Sequence, residues 1–326
     1  MTTKSMHSTG TDNVPFFATK VASGTSSMGT DDVPLFARPS ALGDRSNRRM
    51  VAMGWSPDLP DFRDFALQND QVRNKLKDVD SLLVSDKAIP PRHHNINYCS
   101  PIENQGKLGS CTAQAVVGMM EYMMRRGGIN HINGSRLFVY KMTRKLLGWA
   151  GDQGGYLRKA IQAVSIFGVP PEEHWPYEIE RYEEEPAAFH YAYADDFRAL
   201  NYARLDPYGI PPEEILTTVK RTIYAGYAVV FGFTVFSSLT THSPDIAFPD
   251  SNDSVRGGHA VMAVGYDDHH TVNGQTVPSL VIRNSWGRDW GYGGYGLLPY
   301  NYLLCGLARD FWSCFKWGWV DTKQFD

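Results

Sequence analysis

Cys111 lies in the run Asn104-Gln105-Gly106-Lys107-Leu108-Gly109-Ser110-Cys111-Thr112-Ala113, where a small-residue turn delivers a thiol to the start of a helix. A sulfur at a helix N-terminus sits beside unpaired N–H groups and the positive end of the dipole, which favours thiolate over thiol. Gln105, six positions earlier, can bring an amide donor back toward that sulfur. A thiolate with a positioned amide is half of an acyl-transfer site. The other half lies downstream. His259, 148 positions beyond the cysteine, opens the apolar run Ala260-Val261-Met262-Ala263-Val264, and Asn284 closes Val281-Ile282-Arg283. An imidazole can hold a thiolate as an ion pair and protonate a leaving amine, and a carboxamide oxygen can fix its ring and tautomer.

These side chains must be carried by two kinds of element. Ala113, Val116, Met120 and Met123 recur at helical spacing after Cys111, and Leu157, Ala160, Ile161, Val164 and Phe167 do so after Gly155. From 110 to about 178 helices are expected. From about 196 strands are expected, as in Val229 to Phe236, interrupted by a helix over 212–224 with Ile215, Leu216, Val219 and Ile223 on one face. The pattern is α+β: a helical lobe over about 105–190, a β-barrel-like lobe over about 191–320, and the site in the cleft between them. Together they form an expected catalytic domain over 89–326.

Residues 1–50 are rich in Ser, Thr, Gly, Asp and Pro and are expected to be a disordered tail. They hold an imperfect repeat, in which Val14-Pro15-Phe16-Phe17 recurs as Val33-Pro34-Leu35-Phe36. Residues 51–88 read as a turn-punctuated strap, Gly54-Trp55-Ser56-Pro57-Asp58-Leu59-Pro60-Asp61-Phe62-Arg63-Asp64, and a helix over 68–84 carrying Val72, Leu76, Val79 and Leu83. This N-terminal region is the expected cover of the cleft, with one Val-Pro-Phe/Leu-Phe copy lying in it, and so an intramolecular inhibitor.

Composition narrows the function classes. The chain has 326 residues, a formal net charge of −3 and four cysteines. Near-balanced charge offers no surface for nucleic acid, and no apolar run is long enough to span a membrane. Met1 to His7 lacks a secretory core, which leaves the cytoplasm or a signal-independent export route. No cofactor is required. With Cys111 as nucleophile an odd number of cysteines remains, so Cys305 and Cys314 read as free thiols before a disulfide. Asp267-Asp268-His269-His270 precedes Asn273-Gly274 and reads as a solvated hairpin turn, not a metal site.

Gln105-Gly106-Lys107-Leu108-Gly109-Ser110-Cys111, Gly258-His259-Ala260-Val261 and Asn284-Ser285-Trp286-Gly287 resemble the papain family of cysteine peptidases, in particular its bacterial branch. The resemblance implies a two-lobed fold and hydrolysis of peptide or protein substrates through a thioester on Cys111. It also implies His259 as acid/base partner, Asn284 as orienting group, and Gln105 with the Cys111 N–H as oxyanion donors. Trp286 would shield the Asn284–His259 bond, and Gly154-Gly155-Tyr156 would pair with extended substrate. With Gly258 and Tyr156 at the cleft, a roomy apolar pocket for Leu, Phe or Val is expected. Three features depart from the family. Leu108 and Asp152 stand where plant-type members carry a disulfide, Thr112 replaces the usual aromatic, and the long prosegment is not recognisable. A transglutaminase would prefer Asp to Asn284, and a silent binding relative would have lost the cysteine or histidine.

Overall fold

The computed structural model describes residues 88–319 except 129–131, 195–196 and 241–242, together with 52–59, 61, 64, 66 and 74. The repeat over 8–37 and the apolar positions of the expected 68–84 helix lie outside the described residues. All described residues belong to one compact unit, Asp44–Asp326.

In chain order the elements are β1 (Arg92–His94), α1 (Cys111–Arg126), α2 (Arg136–Leu147), α3 (Leu157–Phe167), α4 (Ala188–Ala194), β2 (Phe197–Arg204) and α5 (Pro212–Tyr224). Then follow β3 (Val229–Phe236), β4 (Val255–Asp267), β5 (Thr271–Val272), β6 (Gln275–Thr276), β7 (Ser279–Arg283), β8 (Tyr295–Pro299), α6 (Asn301–Leu304) and β9 (Ala308–Trp319).

Local chemistry sets several boundaries. Ser135 caps α2 by accepting from the Phe138 N–H at 3.2 Å, and Gly148 ends it in a left-handed conformation at φ 68°. Proline begins α5, followed by Glu213 and Glu214 in the first turn, where the dipole favours acids. The expected stripe is seen there: Val219 and Ile223 are buried, and Ile215 and Leu216 pack against the same core.

The helix after Cys111 begins at the predicted residue but is not amphipathic as expected. It is buried on all sides from Cys111 to Tyr122, because it runs between β4 on one side and α2 and α3 on the other. A helix covered all round needs no polar stripe.

The main sheet is antiparallel in the order β2-β9-β3-β4-β7-β8, with β1 added to the end of β4. It is an open sheet rather than a closed barrel. β4 is its spine: Val229–Phe236 pairs along one edge, Ser279–Arg283 along the other, and nine consecutive residues from His259 to Asp267 are buried. A strand buried on both faces carries an unbroken apolar run, which is why 260–264 lacks alternation. The core beneath includes Phe231 stacked on Phe311 at 4.7 Å.

Candidate active site

The turn before α1 is held from several directions. Gln105 N–H donates to Ser285 O at 2.8 Å and Gly287 N–H to Glu103 O at 2.9 Å, which ties the turn to the segment after β7. Gly109 N–H donates to both carboxylate oxygens of Asp152, at 3.0 and 3.1 Å. Asp152 also accepts from Tyr140 Oη at 2.5 Å, and Tyr140 Oη accepts from Gly154 N–H at 3.1 Å. Where the papain resemblance would place a disulfide, a carboxylate and a phenol join the same two loops.

Cys111 is the first residue of α1 and is fully buried. His259 is the fifth residue of β4 rather than its first, and it too is fully buried. Asn284 follows the last residue of β7. Its Oδ1 accepts from Ser285 N–H at 2.8 Å and faces His259 Nε2 at 2.8 Å. Because that oxygen accepts, Nε2 carries the proton, which leaves Nδ1 as the free lone pair. Nδ1 is buried with no hydrogen-bond partner among the described residues. The imidazole stacks on Trp286 at 4.3 Å and meets the edge of Phe233 at 5.9 Å. The Ala260 N–H, next in the chain, points at the Cys111 sulfur.

The expectation of a thiolate does not hold in this state of the site. Burial pushes the Cys111 thiol up to about 11, although the N–H groups of Ala260, Gly54, Thr112 and Cys111 itself pull the other way. Burial likewise holds His259 down to about 4, against the bond to Asn284. Desolvation outweighs the helix terminus because a segment of this chain excludes water from the sulfur.

That segment is 52–58. Gln105 Nε2 donates to Ala52 O at 3.2 Å, and the Gly54 N–H points at the Cys111 sulfur. Gly155 N–H donates to Gly54 O at 2.7 Å, Ser56 N–H to Gly155 O at 3.3 Å, and Trp55 N–H to Gly258 O at 3.0 Å. The strap is anchored beyond by ions: Arg158 pairs with Asp58 at 3.2 Å and Asp64 at 2.6 Å, and Arg204 with Asp64 at 3.2 Å. The cleft is thus covered from the N-terminal side. The described residues against Gln105, Gly155 and Gly258 are those around Trp55; both Val-Pro copies lie outside the described residues.

Of the expected substrate residues, Gly154, Gly155 and Gly258 lie against the strap. Tyr156 instead precedes α3 and packs on Trp149 at 5.3 Å, while Trp286 backs the imidazole. Sequence reasoning missed Ser285, whose hydroxyl donates to Gln105 Oε1 at 2.6 Å and so turns the amide N–H outward. It also missed Tyr140 and treated Asp152 only as a lost cysteine. None of the four cysteines forms a disulfide.

A family model described as papain family cysteine protease matches residues 87–314. The chain belongs to that family. It is a cysteine endopeptidase with a papain-like arrangement of helices and antiparallel sheet, as expected. Xylellain, a cysteine protease from Xylella fastidiosa, superposes with a TM-score of 0.66 at 29% identity, over 84% of this chain and 98% of its own. The uncharacterized peptidase C1-like protein L477 of Acanthamoeba polyphaga mimivirus is 34% identical over 217 residues, 64% of this chain and 68% of its own. Cathepsin K of Gallus gallus is 26% identical, and the match spans 59% of its length. Procathepsin L2 of Tenebrio molitor, at 22% identity and a TM-score of 0.56, shares the fold.

Proposed function

We propose that Cys111 is the nucleophile of this peptidase, His259 its acid/base partner, Asn284 the orienting group, and Gln105 with the Cys111 N–H the oxyanion donors. The observation that carries the reading is that the Ala260 N–H, next in the chain to His259, points at the Cys111 sulfur, while His259 is held through Nε2 and its Nδ1 has no partner among the described residues; Gln105 Nε2 donates to the backbone carbonyl of Ala52 at 3.2 Å. Once the site is wetted, proton transfer from sulfur to Nδ1 gives the thiolate–imidazolium pair. The thiolate attacks the carbonyl carbon, charge gathers on the oxygen facing Gln105, and His259 returns its proton to the leaving amine. Water, deprotonated by the same imidazole, then cleaves the thioester. Trp286 keeps bulk water from the His259–Asn284 bond by stacking on the ring. Residues 89–326 are read as the peptidase domain, acting on peptide or protein substrates.

The strap is read as an intramolecular inhibitor. On the pairing that the papain resemblance implies at Gly154-Gly155-Tyr156, the residues of a substrate that precede the attacked carbonyl would run along Gly155. In the strap, the residues running along Gly155 follow Ala52, and the Trp55–Gly155 bridge is parallel. The strap fills the cleft in the polarity opposite to a cleavable chain. Cys111→Ala is expected to abolish hydrolysis of a peptide amide, and retained turnover would exclude Cys111 as nucleophile.

A further inference from the structure

The indole of Trp55 occupies a pocket that exists because two neighbours lack side chains. A Cβ on Gly232 would come within 1.9 Å of the indole, and one on Gly258 within 2.6 Å. The floor of this pocket is a carboxylate. Asp310 is 1% exposed, and its Oδ2 accepts the indole N–H at 3.2 Å and the Asp58 N–H at 2.9 Å. Its Oδ1 is committed to Arg204 at 2.8 Å, and its own N–H donates to Asp206 at 2.8 Å. Asp310 holds φ 59°, a left-handed backbone that few residues other than glycine adopt.

Both donors to Oδ2 belong to the strap. A substrate that displaces the strap takes them away and leaves Arg204 on the other oxygen. The pocket then ends in a buried acceptor, which any incoming side chain must satisfy or leave unpaired. We infer that Asp310 determines specificity, so that the subsite beside Gly155 and Gly258 selects a side chain bringing an N–H to its floor, tryptophan above phenylalanine or leucine. This rests on the reading of the cleft as a peptidase site, and it departs from the purely apolar pocket expected of the sequence. A shape-matched ring without a donor fills the same space but strands the carboxylate. The expected discrimination is about tenfold, or about 1.4 kcal/mol, at the low end of what an unpaired buried acceptor costs.

The test uses the full chain carrying Trp55→Ala, so that its own indole does not fill the pocket. Two blocked peptides, identical except for Trp or Phe at the residue facing Gly155, compete in one reaction, which makes the kcat/KM ratio independent of the fraction of open enzyme. Dissociation constants for the same peptides are measured on Trp55→Ala with Cys111→Ala. A Trp:Phe ratio of about 10 is expected, falling to 1 or below when Asp310→Asn is added. Arg204 holds the amide oxygen of the new asparagine, so its NH₂ faces the indole N–H and repels it. Equal ratios for the two peptides, or a ratio that Asp310→Asn leaves unchanged, would overturn the inference. If the Asp310 variant fails to fold, Gly232→Ala reads the same pocket: the Trp peptide must lose more than a Leu peptide, and equal loss refutes it. Binding preference without hydrolysis would count against the peptidase reading and not against the pocket.

Discussion

Replacing Gly54 by alanine tests the strap most directly, because the contact it breaks is backbone against backbone. A Cβ at position 54 would lie 1.8 Å from Gly109 O and 2.4 Å from Gly109 C, in the turn that leads into Cys111. Neither atom can rotate away, and Gly154 closes the strap's other side, where a Cβ would meet Gly54 O at 2.1 Å. Overpacking of this kind costs about 1–3 kcal/mol. The clash exists only with the strap docked, so the cost falls on the docked state alone and shifts the open fraction by about 5- to 150-fold. While the docked state dominates, the rate of the full chain is proportional to that fraction. The assay is the initial rate of hydrolysis of a small peptide amide by full-length Gly54→Ala against the unsubstituted chain, with melting temperature as a check of folding. Leu59→Ala serves as control, since Leu59 is 83% exposed and its loss should leave the rate alone. A folded Gly54→Ala protein whose rate stays within twofold of the parent would refute the covering role of the strap.

Three further outcomes are expected. Alkylation of Cys111 in the full chain by iodoacetamide should rise about tenfold per pH unit from 8 to 10, because the covered thiol, pushed up to about 11, stays protonated there. Docking favours the protonated thiol, so the strap is held below about pH 9 and loosened as pH climbs toward 11; an alkylation rate flat from pH 7 upward would contradict this. Ser285→Ala removes the donor to Gln105 Oε1, leaving the amide held by Leu108 O at 3.0 Å, and should cost roughly tenfold in kcat with little change in KM, while Gln105→Ala should cost about 10²–10³. A rise in KM alone would place Ser285 outside this positioning role. Asp152→Ala removes the acceptor shared by Gly109 and Tyr140, a loss of about 1–2 kcal/mol after discounting for its exposure. It should lower the melting temperature by about 2–6 °C and weaken extended peptides more than short ones; unchanged values for both would show that the carboxylate joins nothing of consequence.

The chemistry-bearing residues were legible in the sequence because each is marked by its immediate neighbours. Gly109-Ser110 before Cys111, Gly257-Gly258 before His259 and Ser285-Trp286 after Asn284 are local signals, and so are the α5 stripe and the start of α1. Burial all round α1 was not legible, since Gln114, Glu121 and Thr112 are buried there only by what packs around them. Nor was the protonation state of the pair, because it depends on which atoms displace water from the sulfur. Gly54 supplies one of those atoms, and the strap around it is set by contacts of Ala52, Gly54 and Trp55 with Gln105, Gly155 and Asp310 that join positions up to 255 apart in the chain. Local residue order, then, determined the kinds of group the site holds. Tertiary structure alone decided that it is covered and uncharged and that its pocket ends in a carboxylate, because desolvation and hydrogen-bond direction are set by neighbours in space.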